Sequence, residues 1–314
     1  MANKYFAIMP DTTCDLSEQF QKEYDIEVIL GYFTTPDGKE HQSIHAWGEI
    51  DRDQFYKDLK KNPDGYKTAP PNIEDCKRAF LKHVEKGEAV IAMAISSGMS
   101  GTYNFMCLAR EEVLKEHPEA EIYVIDSLRF GPGYGLMAIH ASMKRKEGLS
   151  AKETAEWLDN NKNHFHQSGW MDDLYFIARK GRLTNAKAFF GTLVGVKPVG
   201  EFDYNGMTTV IGKGKGEKQT YQILLEYIAR EIIDPENQII VIATTNRHKQ
   251  AEEYKVMIEN RFHPKAVYVC DVFPNCGINV GPGLMAAYYY GKPISQGLVE
   301  EKQAFEEIVA SLKE

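Results

Sequence analysis

The sequence predicts a two-domain α/β protein, with a parallel wound sheet in the N-terminal domain and a mixed, partly antiparallel α+β C-terminal domain. Apolar segments of strand length alternate with helical segments over the first half, which is typical of strands that pair in parallel. The dipeptide Asn205-Gly206 between two strand-like segments indicates a β-hairpin in the second half. A chain of 314 residues is long enough for two domains of ordinary size.

The first half is predicted to alternate strands and helices. The run AVIAMAI (89–95) is apolar without alternation, so we expect a strand that is covered on both faces. Pro70 and Pro71 exclude a helix or a central strand, so 66–72 is predicted as an extended loop, and Asn72 as the cap of the next helix. The predicted strands are 5–10, 26–34, 89–95 and 121–126. Four helices are predicted over 51–61, 73–86, 135–147 and 151–161. A further short helix is predicted to end at Tyr24, and another is predicted to begin after Gly101.

The polar segment 160–169 is the predicted domain junction, and we place the two domains at residues 1–165 and 166–314. A strand leads into the hairpin, and an amphipathic helix is predicted between the basic turn at 179–182 and that strand. The other predicted strands are 174–178, 208–211, 238–245 and 266–273, the other helices are 219–233, 249–261 and 294–314, and a Gly/Lys loop covers 213–218.

Composition excludes several classes of function. The formal net charge of −8 and the pI near 5.7 argue against nucleic acid as a partner. No stretch reaches the roughly 18 apolar residues of a membrane span, and the N-terminal segment lacks a signal-peptide pattern, so we expect a cytoplasmic protein without stable membrane insertion. The five cysteines are scattered, and His164 and His166 have no third ligand at suitable spacing, so we predict free thiols and no metal site.

Two nucleotide-binding motifs do not fit this chain. The segment GPGYG (131–135) partly matches a dinucleotide fingerprint, but helical sequence follows it where a second strand ending in an acidic residue should come. No GxxxxGK[ST] motif is present. The sequence therefore predicts no cofactor.

A Ser/Gly-rich turn follows the buried strand 89–95 and leads directly into a helix. Its hydroxyls belong to Ser96, Ser97, Ser100 and Thr102, while Gly98 allows a tight turn. Backbone N–H groups at a helix N-terminus lack intrahelical acceptors, so we expect this turn to receive an anion. The alternative is an ordinary turn in which Ser100 caps the helix.

A second polar turn, Asp11 to Thr13, follows the first predicted strand. Open α/β sheets bind ligands at the carboxyl ends of their strands, so Thr12 is a candidate binding residue. Simple helix capping by Asp15 or Ser17 is the alternative function of this turn.

Six segments in order along the chain together resemble the DegV family of bacterial fatty-acid-binding proteins. They are DTTCDL (11–16), KTAPP (67–71), ISSGMSGTY (95–103), VIDS (124–127), ARKGRLTNAKAFFGTLVGVKPV (178–199) and NVGPG (279–283). The resemblance covers about residues 5–291. It implies two α/β domains that enclose one long-chain fatty acid, and a carrier rather than an enzyme. Several members of the family deliver the lipid to a fatty-acid kinase that phosphorylates its carboxyl group.

The same resemblance implies where the carboxyl group binds. The predicted lipid-binding residues are Thr12, Thr68, Ser96, Ser97, Gly98, Ser127 and Asn279. The family has a histidine at the position of Asn279. An asparagine side chain can donate a hydrogen bond to a carboxylate, but it cannot take up a proton near neutral pH.

The lipid tail would dominate the affinity of such a carrier. Burial gains on the order of 0.8 kcal/mol per methylene, so a ligand of about 14 to 18 carbons gains roughly 12 kcal/mol before ordering costs. The candidate tail-lining residues are Phe189, Phe190, Leu193, Val194, Leu284 and Met285, and ordinary core packing is the alternative for each.

A basic set of residues is unusual in this acidic chain. Arg179, Lys180, Arg182 and Lys187 are predicted either to form a solvated turn or to dock an acidic partner such as the kinase. The alternative function is an enzyme or binding protein for a phosphorylated small molecule, by similarity to the dihydroxyacetone-kinase fold.

Overall fold

The computed structural model describes residues 5–185 and 195–312. The predicted amphipathic helix, with Lys187 and the four candidate tail-lining residues between 189 and 194, lies outside the described residues. The strands are β1 Phe6–Pro10, β2 Tyr32–Thr34, β3 Glu40–Gln42, β4 Lys67–Ala69, β5 Ala89–Ala94, β6 Ile122–Asp126, β7 Phe165–Met171, β8 Val196–Phe202, β9 Thr208–Lys215, β10 Ile239–Thr244, β11 Ala266–Asp271 and β12 Leu284–Tyr290. The helices are α1 Glu18–Tyr24, α2 Arg52–Lys61, α3 Ile73–Val84, α4 Thr102–Glu116, α5 Pro132–Glu147, α6 Ala151–Asn161, α7 Tyr175–Arg179, α8 Gly216–Glu231, α9 His248–Phe262, α10 Pro274–Val280 and α11 Val299–Ser311.

The chain divides into two compact units. Unit 1 comprises Met1–Ile50, Asp64–Lys162 and Phe273–Ile278, and unit 2 comprises Asp51–Pro63, Asn163–Val272 and Asn279–Glu314. The division after residue 162 falls within the polar segment 160–169. Two exchanges were not expected from the sequence, because α2 belongs to unit 2 and most of α10 belongs to unit 1.

Unit 1 contains the parallel sheet, in the strand order β1-β5-β6. Every residue of β1 and β5 is buried, as the unbroken apolar sequence predicts. Beyond β1, an extended segment donates Glu27 N–H to the Ile8 carbonyl and Ile29 N–H to the Pro10 carbonyl. The chain therefore leaves β1 toward one side of the sheet, whereas β5 leads to β6 on the other side. The carboxyl ends of β1 and β5 flank this switch point, which is where open α/β sheets bind ligands.

A second sheet in unit 1 has the antiparallel order β3-β2-β4. It corrects the prediction of one strand over 26–34, because only residues 32–34 belong to β2. A Cβ at Gly31 would lie 2.7 Å from the Ala69 carbonyl oxygen, so only glycine fits beside β4 at this position. The predicted loop 66–72 contains β4 at a sheet edge, where the following prolines are tolerated.

Unit 2 contains a mixed sheet in the order β11-β10-β12-β7-β8-β9. Only β10 and β11 are parallel, and the remaining pairs are antiparallel. The predicted fold class is therefore confirmed. Two predicted elements are wrong, because 174–178 forms the N-cap and most of α7 rather than a strand, and the loop over 213–218 is the end of β9 followed by α8. None of the described helices combines the length and the apolar character that a membrane span requires.

Candidate functional site

The candidate site is built from three turns at the carboxyl edge of the parallel sheet in unit 1. Asp11 N–H donates to the Met93 carbonyl at 3.0 Å, and Ile95 N–H donates to Asp11 Oδ2 at 2.8 Å. These bonds tie the turn after β1 to the turn after β5. Ser96 N–H donates to the Arg129 carbonyl at 2.9 Å and so ties the turn after β5 to the segment after β6. The structure thus brings the predicted residues of all three turns to one edge.

The turn after β5 uses its own backbone donors. Ser97 N–H donates to Asp126 Oδ1 at 3.0 Å, and Gly98 N–H donates to Ser96 Oγ at 3.2 Å. The N–H groups of Met99 and Ser100 both donate to the Ser96 carbonyl. The N–H groups of residues 97–100 therefore each have an acceptor in the protein, whereas the anion site predicted at the N-terminus of α4, which begins at Thr102, stays a prediction.

The hydroxyl groups of the same turn divide into two pairs. Ser100 Oγ and Thr102 Oγ1 lie 2.8 Å apart and bond to each other. Ser96 is buried, and its oxygen accepts the Gly98 N–H, which leaves its proton available. Ser97 is exposed. Ser96 and Ser97 each keep a hydroxyl proton that can go to a ligand, whereas the bond between Ser100 and Thr102 uses one of the two protons of that pair.

Asp11 organises the turn after β1. Its side chain is fully buried and accepts the backbone N–H of Thr13 at 2.8 Å and the Thr13 hydroxyl at 2.5 Å, besides the bond from Ile95. Burial raises the pKa of Asp11, and the hydrogen bonds from Thr13 and Ile95 partly oppose this rise. Tyr134 OH donates to the Asp11 carbonyl at 2.7 Å. These bonds give the turn a structural role.

Thr12 contacts a histidine that the sequence did not indicate. Thr12 Oγ1 lies 3.2 Å from His45 Nε2, and His45 Nδ1 lies 2.7 Å from the Leu16 carbonyl oxygen. Burial lowers the pKa of His45 to about 4, so its ring is neutral at physiological pH. No motif surrounds His45 in the sequence, and only the folded contact reveals its partner.

Ser127 has a structural role in the turn after β6. Its hydroxyl donates to the Arg129 carbonyl at 2.9 Å and accepts the Arg129 N–H at 3.1 Å. These bonds occupy its proton, so Ser127 has no hydroxyl donor for a ligand. Arg129 is itself fully buried, with Nη1 donating to the Leu128 carbonyl at 2.6 Å, and no motif in the sequence indicates this burial.

The other predicted contacts lie on different elements. Thr68 lies in β4, opposite Phe33 of β2, and is half-buried. Gly98 is exposed at the tip of the β5 turn, and Asn279 is half-buried near the end of α10 and belongs to unit 2.

The described part of the basic set lies at the end of α7 in unit 2. Arg179 lies over the exposed Tyr175 ring at 5.5 Å, and Arg182 Nη1 donates to the Lys180 carbonyl. Partial burial lowers the pKa of Lys180, and the neighbouring Arg179 and Arg182 lower it further.

The described residues contain no group of three or more His, Cys, Asp or Glu side chains that could hold a metal ion. All five cysteines are free thiols.

Comparison with known proteins places this architecture in a family. The family model described as "Uncharacterised protein, DegV family" matches residues 5–292. The chain belongs to the DegV family. A DegV domain-containing protein of Clostridium perfringens is 29% identical over 291 residues, which cover 92% of this DegV chain and 98% of the relative.

Solved structures share the DegV fold. A fatty-acid-binding DegV family protein from Thermus thermophilus has a TM-score of 0.81 at 21% identity, over 91% of this chain and 99% of the other. The Fatty Acid Kinase (Fak) B3 protein of Streptococcus pneumoniae, loaded with linoleic acid, has a TM-score of 0.75 at 20% identity, over 91% of this chain and 99% of the other.

Proposed function

We propose that this DegV protein is a carrier that binds one long-chain fatty acid and holds the carboxyl group at the turn after β5. The observation that carries the proposal is the pair of available hydroxyl protons on Ser96 and Ser97 at the switch point of the parallel sheet. A carboxyl group that leaves water must be hydrogen-bonded, because an unpaired buried polar group is costly. The bound lipids of the Thermus thermophilus and Streptococcus pneumoniae relatives support the same ligand class.

The geometry favours a carboxyl group over a phosphate. Phosphate sites use several free backbone N–H groups, and in the turn before α4 the four N–H groups of residues 97–100 already have protein acceptors. Two hydroxyl donors suit the smaller demand of a carboxyl group. Thr68 and Asn279 complete the proposed head-group contacts, as the family resemblance implies. The tail, of about 14 to 18 carbons, would supply most of the affinity through burial of its methylenes.

The partner that we propose is a fatty-acid kinase. The Fak B3 relative supports this partner, and the basic residues Arg179, Lys180 and Arg182 would attract an acidic docking surface on it. Such an association weakens as salt concentration rises.

The direct test is to extract the purified protein with organic solvent and to search the extract for fatty acids by mass spectrometry. We expect about one long-chain fatty acid for each chain, and a higher melting temperature when hexadecanoic or octadecenoic acid is added to delipidated protein. An extract without fatty acid, together with an unchanged melting temperature, would contradict the carrier function.

A further inference from the structure

Thr12 and His45 form a buried pair beside the candidate site in unit 1. Thr12 is 2% and His45 is 5% exposed, and Thr12 Oγ1 lies 3.2 Å from His45 Nε2. The other ring nitrogen, Nδ1, lies 2.7 Å from the Leu16 carbonyl oxygen, which can only accept a hydrogen bond. The neutral ring therefore carries its proton on Nδ1, and Nε2 offers a lone pair to Thr12.

This arrangement fixes the direction of the Thr12 hydroxyl. A hydroxyl group has one proton and two lone pairs, and here the proton points to His45 Nε2. Thr12 Oγ1 can then only accept a hydrogen bond from a ligand. An ionised carboxylate is also an acceptor and gains nothing from Thr12, whereas the O–H of a neutral carboxylic acid can donate to it.

The charged groups around the switch point include two carboxylates, Asp126 and Asp11, and the buried guanidinium of Arg129, which donates through Nη1 to the Leu128 carbonyl. Asp126 Oδ1 accepts the Ser97 N–H at 3.0 Å, so an acidic side chain lies directly behind the donor turn. The buried Asp11 lies next to Thr12 in the chain and contacts Ile95. Carboxylates close to a bound carboxyl group disfavour its ionisation and a cation favours it, so the form of the ligand depends on whether Thr12 accepts or donates a hydrogen bond.

We propose that this DegV protein takes the fatty-acid head group as the neutral carboxylic acid. Ser96 and Ser97 donate to the carbonyl oxygen of the acid, and the O–H of the acid donates to Thr12 Oγ1. His45 is the positioning residue that makes Thr12 an acceptor. This inference rests on the proposed function and adds the chemical form of the ligand.

The surroundings of His45 keep its ring neutral. The ring faces Thr12, the Leu16 carbonyl and the Phe273 ring, whose centroid is 5.5 Å away. The charged residues on the neighbouring segments are Asp11, Asp15 and Glu18, of which Asp15 accepts the Phe273 N–H and Glu18 donates its N–H to the His45 carbonyl. Burial lowers the pKa of His45 to about 4, so the pair keeps its orientation over the pH range of the test.

The test compares three ligands of one chain length by calorimetry at pH 6 and pH 8. Dodecanoic acid should lose about 100-fold in affinity between these values, because the neutral fraction of a carboxylic acid falls about tenfold per pH unit above its pKa. Dodecan-1-ol, which has an O–H donor and no charge, should bind equally at both pH values and at least about tenfold tighter than methyl dodecanoate, which has no donor. A pH-independent affinity for dodecanoic acid, or an ester that binds as tightly as the alcohol, would overturn the proposal. If none of the three ligands binds, the proposed function itself fails.

Two substitutions test the role of His45. His45→Phe removes the acceptor, so Thr12 becomes free to donate to a carboxylate, and the loss in affinity between pH 6 and pH 8 should shrink from about 100-fold to less than about tenfold. His45→Gln offers an amide oxygen to Thr12 and should keep most of the pH dependence. An unchanged pH dependence in a folded His45→Phe variant would exclude the positioning role. Thr12→Val should weaken dodecan-1-ol binding by about fivefold or more, and Thr102→Val is the matched control, a buried threonine bonded to Ser100, which should not.

Discussion

Two buried histidines, one in each unit, differ in charge: His45 is neutral and His166 is positively charged. His45 in unit 1 contacts a hydroxyl and a carbonyl, and burial lowers its pKa to about 4. His166 in unit 2 is fully buried between Glu201 Oε2, 2.9 Å from Nδ1, and the Lys292 carbonyl oxygen, 2.7 Å from Nε2. Burial also opposes the charged form of His166, but the Glu201 carboxylate outweighs burial and raises the pKa.

The difference shows that burial alone leaves a histidine neutral and that a carboxylate partner reverses the result. In unit 2 the charged pair is part of a closed core, since Glu201 also accepts from Gln167 N–H, Phe202 N–H and Tyr227 OH. In unit 1 the neutral ring lies beside the proposed ligand site, where it orients Thr12 without adding a positive charge. The two histidines therefore serve stability and binding respectively.

The largest expected effect comes from breaking the pair in unit 2. His166→Leu leaves the fully buried Glu201 without its cation and should lower the free energy of unfolding by about 3–5 kcal/mol, measured by urea denaturation. The double variant His166→Leu with Glu201→Leu removes both charges and should recover part of the loss. A loss below about 1 kcal/mol in the single variant would show that the pair is not charged.

The next largest effect concerns the fall in stability at acid pH. Because His45 has a pKa of about 4 in the fold and about 6.5 when unfolded, the unfolded chain binds the extra proton between these values, and stability falls as pH falls. His45 should thus lower the free energy of unfolding of the wild type by about 2–3 kcal/mol when the pH falls from 7 to 4.5. Between pH 7 and pH 4.5, the free energy of unfolding of His45→Phe, measured by urea denaturation, should therefore fall by about 2–3 kcal/mol less than that of the wild type.

The His166 pair has the opposite sign and serves as the internal comparison. Its raised pKa adds stability that is complete below the unfolded value near 6.5 and is lost as pH rises through the folded pKa. In a variant without His166, the free energy of unfolding should therefore change less with pH above about pH 6.5. Its change with pH at acid pH should be the same as in the wild type. Identical pH profiles for the His45 and His166 variants would contradict the distinction between the two sites.

The smallest effect is a difference in thiol reactivity near His45. Cys276 Sγ donates to the Thr13 carbonyl at 3.3 Å, and burial raises the pKa of Cys14 and Cys276 well above the usual range. Burial likewise raises the pKa of Cys76 to about 12, whereas Cys107 is only half-buried. A thiol reagent should label Cys107 in the native protein and all five cysteines in urea. Rapid native labelling of Cys14 or Cys276 would show that the interior next to His45 is open to solvent.

Sequence patterns predicted the elements whose signal is local. The unbroken apolar run of β5 and the capping residue Asn72, which forms a capping box with Asp75, both behave as predicted. The segment 174–178 is predicted as a strand but folds into the start of α7, because a short apolar run fits strand and helix equally.

The error over 213–218 has a different cause. A Cβ at Gly212 would lie 2.0 Å from the Phe305 ring, and one at Gly214 would lie 2.2 Å from the Thr220 hydroxyl. These glycines allow helices to pack closely on β9, and the sequence cannot distinguish this use from a flexible loop.

The candidate site was predictable in its location but not in its proton donors. A strand–Ser/Gly–helix pattern places Ser96 and Ser97 at a carboxyl edge, and the fold confirms that placement. The assignments of protons depend on contacts between distant segments, such as Thr12 with His45, or on the local conformation of Ser127. A single sequence does not contain this information, because hydrogen-bond partners are decided by the folded backbone.

The most direct test of the central claim compares dodecanoic acid binding in three proteins at pH 6 by calorimetry. The Ser96→Ala/Ser97→Ala variant lacks both proposed donors and should bind at least about tenfold more weakly than the wild type. Ser100→Ala changes the same turn at a hydroxyl that bonds to Thr102, and it should bind within about twofold of the wild type. Equal affinities for all three proteins, or an equal loss in both variants, would contradict a head-group site at Ser96 and Ser97.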